Sequence, residues 1–85
     1  GLNDEVDLLV EGGRELAAVE IKSGQTVTRD YFQGLNRFAK VAGDRLTGGA
    51  VVYGGDKRQL RSDWEVWPVA ELDSLASRAF SLFAD

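Results

Sequence analysis

The sequence predicts an α/β fold: a mixed β-sheet with two helices, in the order β-β-α-β-β-α. Four short apolar stretches are bounded by glycine, proline or polar clusters, which is typical of strands. Two longer stretches place apolar residues three and four positions apart, which is typical of amphipathic helices. The 85 residues are 44% hydrophobic and 28% charged, enough for one domain with a thin core.

The first two strands are predicted to form a hairpin. Residues 5–11 and 15–22 suit strands, and the glycine pair at 12–13 suits a two-residue turn between them. We expect Glu11 to pair with Arg14 across this turn. That pairing fixes the register of the whole hairpin.

In that register, acidic side chains collect on one face of the hairpin. Asp7 pairs with Ala18 and Glu5 with Glu20, which leaves Asp7 diagonal to Glu20 on the same face. Lys22 shares that face with Glu20, because strand side chains alternate. The opposite face is apolar and needs a helix to cover it. It carries Val6, Leu8, Val10, Ala17, Val19 and Ile21.

The helix that follows is predicted to cover that apolar face. Thr28 is the expected N-cap, Asp30 lies in the first turn, and the helix runs to about Ala42 before Gly43 ends it. Its buried stripe is Tyr31, Phe32, Leu35, Phe38, Ala39 and Ala42. Its polar stripe is Gln33, Asn36, Arg37 and Lys40.

The second half of the chain is predicted to add two strands and a helix. Residues 48–55 are predicted to form an interior strand, connected to the second strand through the first helix by a right-handed parallel crossover. Residues 56–63 read as a polar loop and 64–68 as a strand, in which two tryptophans three positions apart do not share a face. The last helix is expected over about 70–83. Its apolar face holds Leu72, Leu75, Ala76, Ala79, Phe80 and Phe83.

Composition excludes several classes of chemistry. The chain has no cysteine and no histidine, so disulfides, thiolate sites and imidazole bases or ligands are excluded. The net charge of −4 has the wrong sign for a domain that holds nucleic acid through its overall field. No apolar run approaches a membrane span, and no signal peptide is visible, so we expect a cytoplasmic protein without a membrane anchor.

Asp7, Glu20 and Lys22 are the candidate catalytic residues. Two carboxylates and an ammonium on one face suit a hard cation such as Mg²⁺ or Mn²⁺, which activates water and neutralises a phosphoryl oxygen. Lys22 would stabilise developing charge or help deprotonate the water. The alternative is a solvent-facing strand end with ordinary charges, because short motifs often match by chance.

Three further residues are candidates for substrate binding. Gln33 lies near the start of the first helix and would anchor substrate or water. Lys57 and Arg58 lie in the polar loop with Arg61 and would contact phosphates. The alternatives are a solvated helix residue and an ordinary charged loop.

These residues carry a family resemblance. The acid-bearing stretch 5–11, followed by a strand that ends in Glu20-Ile21-Lys22-Ser23-Gly24, resembles the PD-(D/E)XK nuclease superfamily. It resembles more closely the C-terminal domain of unknown function attached to a family of prokaryotic AAA-type ATPases. The resemblance covers about residues 5–55. It implies a restriction-endonuclease-like fold that here lacks the superfamily's leading helix and strand, with Val6 where the superfamily has proline.

By position, the resemblance implies roles for individual residues. Asp7 and Glu20 would be metal ligands, together with the backbone carbonyl of Ile21, and Lys22 would be the catalytic lysine. Gln33 corresponds loosely to a helix glutamine of some branches. The cofactor would be Mg²⁺ or Mn²⁺.

Two functions are therefore expected. The first is a metal-dependent nuclease, exo- or endonucleolytic, that hydrolyses DNA phosphodiester bonds. The alternative is a catalytically inactive, nuclease-like accessory or protein-interaction domain of a prokaryotic ATPase. We expect one domain over 1–85, cut from a longer parent chain that contains the ATPase domain. An open sheet edge would also favour a homodimer.

Overall fold

The fold is a five-stranded mixed sheet with helices on both faces, among the residues described. The structure is a computed structural model, and it describes residues 7–61, 64–75 and 77. Three short 3₁₀ segments lie at Arg29–Phe32, Gly43–Arg45 and Val69–Glu71. Helix α1 spans Gln33–Ala42, and a second helix, α2, has helical backbone at 72–75 and 77. The strands are β1 Leu8–Gly12, β2 Glu15–Ile21, β3 Leu46–Tyr53, β4 Gln59–Arg61 and β5 Trp64–Pro68.

The strand order confirms a mixed sheet with an interior parallel crossover. The order is β1-β2-β3-β5-β4. β2 and β3 are parallel, as are β3 and β5, whereas β1 and β4 run antiparallel to their neighbours. The predicted α/β class is therefore confirmed.

Among the described helices none is long and apolar enough to cross a membrane.

Strand β4 is a difference from the predicted element order. The segment 56–63 was predicted as a polar loop, but Gln59–Arg61 pairs antiparallel with β5 at the sheet edge. An edge strand needs only one bonded side and no buried face, so a short polar sequence can form it. Leu60 remains 74% exposed there.

The hairpin forms, but its turn lies one residue later than predicted. Gly12 pairs with Glu15, and Leu8 with Val19, so the predicted pairing of Glu11 with Arg14 is wrong. Gly13 adopts φ 63°, a conformation that glycine reaches without a steric penalty. Moving the turn by one residue shifts each cross-strand partner by two, which leaves the two faces of the hairpin unchanged.

Helix α1 covers the opposite face of the sheet from the one predicted. It packs over a cluster containing Ala18, Leu35, Val51, Tyr53, Trp64 and Val66. Val19 instead joins the second cluster, with Ala50, Val52, Trp67 and Leu75, so α2 reaches that face. Because β2 is an interior strand, it is buried on both faces from Leu16 to Glu20. Its apolar sequence therefore did not indicate which of the two faces α1 covers.

The helical segment begins and ends where predicted, but its first turn, Arg29–Phe32, is 3₁₀, the α-helix begins at Gln33, and Thr28 makes no side-chain capping hydrogen bond. Thr28 precedes the helical segment in an extended conformation, and Gly43 ends α1 with φ 59°. Leu35 is fully buried, and the predicted polar stripe of Gln33, Asn36, Arg37 and Lys40 is exposed. The expectations for Glu5, Val6, Ala76, Ala79, Phe80 and Phe83 lie outside the described residues.

Candidate functional site

Glu20 and Lys22 form an ion pair where β2 ends. Lys22 Nζ lies 3.3 Å from Glu20 Oε1. Glu20 is only 5% exposed, and it is the one buried charged residue in the described part of the chain. A buried carboxylate is costly unless it is paired, and the Lys22 ammonium offsets part of that cost. The pair lies on the α1 face of the sheet, since Glu20 shares the side of Ala18.

Asp7 reaches the same strand end from the neighbouring chain segment. Its backbone N–H donates to the Val19 carbonyl at 3.0 Å. Its Oδ2 accepts a hydrogen bond from the Ile21 backbone N–H at 2.7 Å. The structure therefore brings the carboxylate of Asp7 against the residue that separates Glu20 from Lys22.

The loop after β2 is held against the end of β3. Lys22 N–H donates to the Val52 carbonyl at 2.8 Å, and Gly54 N–H donates to the Gly24 carbonyl at 2.9 Å. A Cβ at position 24 would collide with Tyr31 Oη, so the tyrosine side chain would have to move to accommodate any residue other than glycine there.

Tyr31 and Asp30 complete the surroundings of Lys22. The Lys22 ammonium lies 5.9 Å from the centre of the Tyr31 ring, within the range of a cation–π contact. The Thr28 hydroxyl donates to Asp30 Oδ1. That hydrogen bond lowers the pKa of Asp30 below its usual value, with smaller contributions from its own backbone and from the charge of Lys22. Below, the strand-end cluster means Asp7, Glu20, Lys22, Asp30 and Tyr31.

Gln33 lies in a different place, in a groove that contains none of Asp7, Glu20 or Lys22. The groove has a volume of about 630 Å³ and runs between the start of α1 and strands β4 and β5. We call it the arginine groove. Its main lining residues are Arg29, Phe32, Gln33, Asn36, Arg61 and Trp64.

Lys57 and Arg58 follow β3, and both make contacts that hold the fold together. The Lys57 backbone N–H and carbonyl both bond Tyr53 Oη, at 3.1 and 2.7 Å. Arg58 Nε donates to Glu71 Oε1 at 2.7 Å, and its guanidinium lies 4.0 Å from the centre of the Trp67 ring. Their role in binding phosphate stays a prediction.

The donors at the strand end are of the type that suits a hard cation, and the metal site stays a prediction. Carboxylate and carbonyl oxygens from Asp7, Glu20 and Ile21 are what Mg²⁺ prefers. Within 7–61, 64–75 and 77, however, no group of three or more acidic side chains is arranged to hold a metal ion. Asp7 Oδ2 and Glu20 Oε1 already contact an N–H and an ammonium. A carboxylate has two oxygens and several lone pairs, so these contacts are compatible with binding a cation.

Sequence reasoning missed two groups of residues that the fold brings together. Tyr31 was assigned to the buried stripe and Asp30 to a helix first turn, yet both lie beside Lys22. Arg29 is far in sequence from Arg61 and Trp64, and only the fold brings it to the same groove. No local pattern marks such a meeting point.

The fold and this site together define a small α/β domain with an acid–lysine pair at the end of an interior strand. A family model described as domain of unknown function DUF4143 matches residues 2–72, and the chain belongs to this family. Domains of this family are usually found with ATPases. A search of curated proteins found no match. A search of solved structures found none either.

Proposed function

We propose that this chain is a catalytically inactive, nuclease-like accessory domain that works through protein contacts beside an ATPase. The observation that carries the proposal is the Glu20–Lys22 pair, which is 3.3 Å apart with Glu20 buried. In this arrangement the central acid of the motif is paired with the lysine of the motif. Membership of a family usually found with ATPases supports the accessory role.

The test of this proposal measures ATP hydrolysis and DNA cleavage. ATP hydrolysis by the accompanying ATPase module is measured with and without this domain, and cleavage of labelled single-stranded, duplex and branched DNA is measured with Mg²⁺. We expect the domain to change the ATPase rate and to cut no DNA. Mg²⁺-dependent cleavage that is lost in Asp7→Asn would contradict the proposal.

A second candidate is the metal-dependent nuclease, favoured by the contact of Asp7 with Ile21. That hydrogen bond places both acids of the motif at one strand end. Asp7, Glu20 and the Ile21 carbonyl would then hold the cation, which would polarise a phosphoryl oxygen and activate water. Lys22 would present a positive charge to the scissile phosphate.

Asp7→Asn provides a sharp test of this second candidate. An asparagine oxygen still accepts the Ile21 N–H, so the local fold is retained while the ligand charge is removed. If the site binds Mn²⁺, NMR signals of residues 7 and 20–22 broaden in the wild type and broaden much less in the variant. Equal broadening in both proteins at millimolar Mn²⁺ would exclude a metal site built on Asp7.

Homodimer formation through the sheet edge also stays a prediction. Leu8 and Leu9 of the edge strand β1 are 49% and 45% exposed, so they are available to a second β1. Sedimentation of the wild type against Leu9→Lys would test it, because a charge on the edge strand opposes pairing.

A further inference from the structure

The arginine groove concentrates positive charge on an acidic protein. The net charge of the chain is −4, yet Arg29 and Arg61 are exposed and both line this groove. Among the described residues, no acidic side chain lines it. The charge of these described lining residues is therefore opposite to that of the molecule, which favours an anionic ligand.

Amide and apolar side chains lie between the two arginines. Gln33 and Asn36 are exposed on the first turns of α1, and Phe32 is half-buried beside them. The volume of about 630 Å³ is within the usual range for ligand sites. The groove thus combines two cations, hydrogen-bonding amides and one apolar wall.

Trp64 makes a nucleotide base a poor match for this groove. Its ring is only 8% exposed and packs in the core cluster under α1. Its Nε1 donates to Asn36 Oδ1 at 2.9 Å, which fixes the ring in place. Base recognition by stacking needs an open aromatic face, and Trp64 does not offer one.

Two guanidinium groups and an apolar wall instead suit carboxylates next to an apolar side chain. The planar guanidinium matches a carboxylate in a two-bond arrangement. Arg61 is oriented by its Nε, which donates to Gln59 Oε1 at 2.9 Å. We propose that the arginine groove binds an acidic peptide segment of a protein partner, with carboxylates at Arg29 and Arg61 and an apolar side chain against Phe32. This rests on the interaction role proposed above and adds the chemistry of the partner.

The two tryptophan indoles provide the readout. A short peptide that alternates aspartate with leucine is titrated into the full chain, and the indole N–H signals are followed by NMR. Trp64 lines the groove, whereas Trp67 lies in the opposite core cluster, with its Nε1 bonded to Glu65. We expect a saturable shift of the Trp64 signal and little change at Trp67.

Charge variants test the placement of the peptide. Arg29→Gln and Arg61→Gln should each weaken binding by about fivefold, the effect of losing one exposed ion pair. Arg14→Gln, which removes the same charge at the exposed hairpin turn, is the matched control and should bind as the wild type does. A peptide with asparagine in place of aspartate should cause no saturable shift.

Three outcomes would overturn the proposal. The first is no saturable Trp64 shift, and the second is equal weakening in Arg14→Gln and Arg61→Gln. The third is a Trp64 shift produced as strongly by inorganic phosphate or a dinucleotide, which would indicate a phosphate ligand. The accessory role fails separately, since an unchanged ATPase rate would exclude it whether or not the peptide binds.

Discussion

The strand-end cluster and the arginine groove differ in the surroundings of their charged side chains. In the cluster, Glu20 is buried and paired with Lys22. In the groove, Arg29 and Arg61 are exposed beside an aromatic wall. Removing the partner of a buried charge lowers the free energy of unfolding, because the charge is left unpaired away from water. Replacing an exposed charge has little effect on that free energy. We therefore expect changes in the Glu20–Lys22 pair to lower the free energy of unfolding, and changes in the groove to alter binding.

One short 3₁₀ segment serves both regions. Within Arg29–Phe32, Arg29 and Phe32 line the groove, while Asp30 and Tyr31 lie beside Lys22. A tight helical turn directs neighbouring residues to different sides, so the segment can supply both sites at once. The two regions are thus adjacent along this segment.

The largest effect is expected from Lys22→Met. This change keeps an extended apolar stem but leaves the Glu20 carboxylate buried without its ammonium, which should cost about 2 kcal/mol of the free energy of unfolding. The figure is below that for a fully buried pair because the Lys22 side chain is 33% exposed. Urea denaturation measures it.

Arg61→Gln is the matched control for Lys22→Met. It also removes one positive charge, but from an exposed position, and should change stability by less than about 0.5 kcal/mol. Equal losses of unfolding free energy in the two variants would contradict the difference expected between the regions. Such a result would mean that Glu20 is held by contacts other than Lys22.

A smaller effect is expected where the loop after β2 packs against the 3₁₀ segment. In Gly24→Ala the new methyl group would meet Tyr31 Oη, which should cost about 1 kcal/mol in the free energy of unfolding. Tyr31→Phe removes that oxygen, so Gly24→Ala should cost less in the Tyr31→Phe background. An unchanged cost would show that the penalty arises from the backbone of the loop.

Local signals predicted most of the elements around these two regions. Thr28 and Gly43 marked the ends of the first helical segment, and Pro68 closed β5 at the predicted position. Such signals depend on one or two residues whose backbone preferences are strong. They predict where an element ends without information from the rest of the fold.

The failures share a different cause, which is dependence on the sheet as a whole. The face covered by α1 was mispredicted because β2 is buried on both sides, and β4 was missed because an edge strand needs no apolar pattern. Of the candidate site, the proximity of Glu20 and Lys22 followed from alternation along one strand. That Gln33 lines the arginine groove could not be predicted in the same way, because it depends on how α1 packs on the sheet.

The smallest expected effect is a pH dependence at the segment shared by both regions. The pKa of Asp30 lies below its usual 3.8, first because of the Thr28 hydroxyl and, more weakly, because of the Lys22 charge. A lowered pKa means that the folded state binds the proton less tightly than the unfolded state. The stabilisation is therefore present above pH 3.8 and is lost as pH falls through the lower, folded value.

Two variants separate the causes of that shift, with the Asp30 carboxyl followed by NMR during acid titration. Thr28→Val removes the hydroxyl at similar volume and should raise the pKa of Asp30 most, because the hydrogen bond is the largest cause. Lys22→Met should raise it less, since it removes only the more distant charge. The reverse order would mean that the charge of Lys22, and not the hydrogen bond within the local turn, is the main cause of the lowered pKa of Asp30.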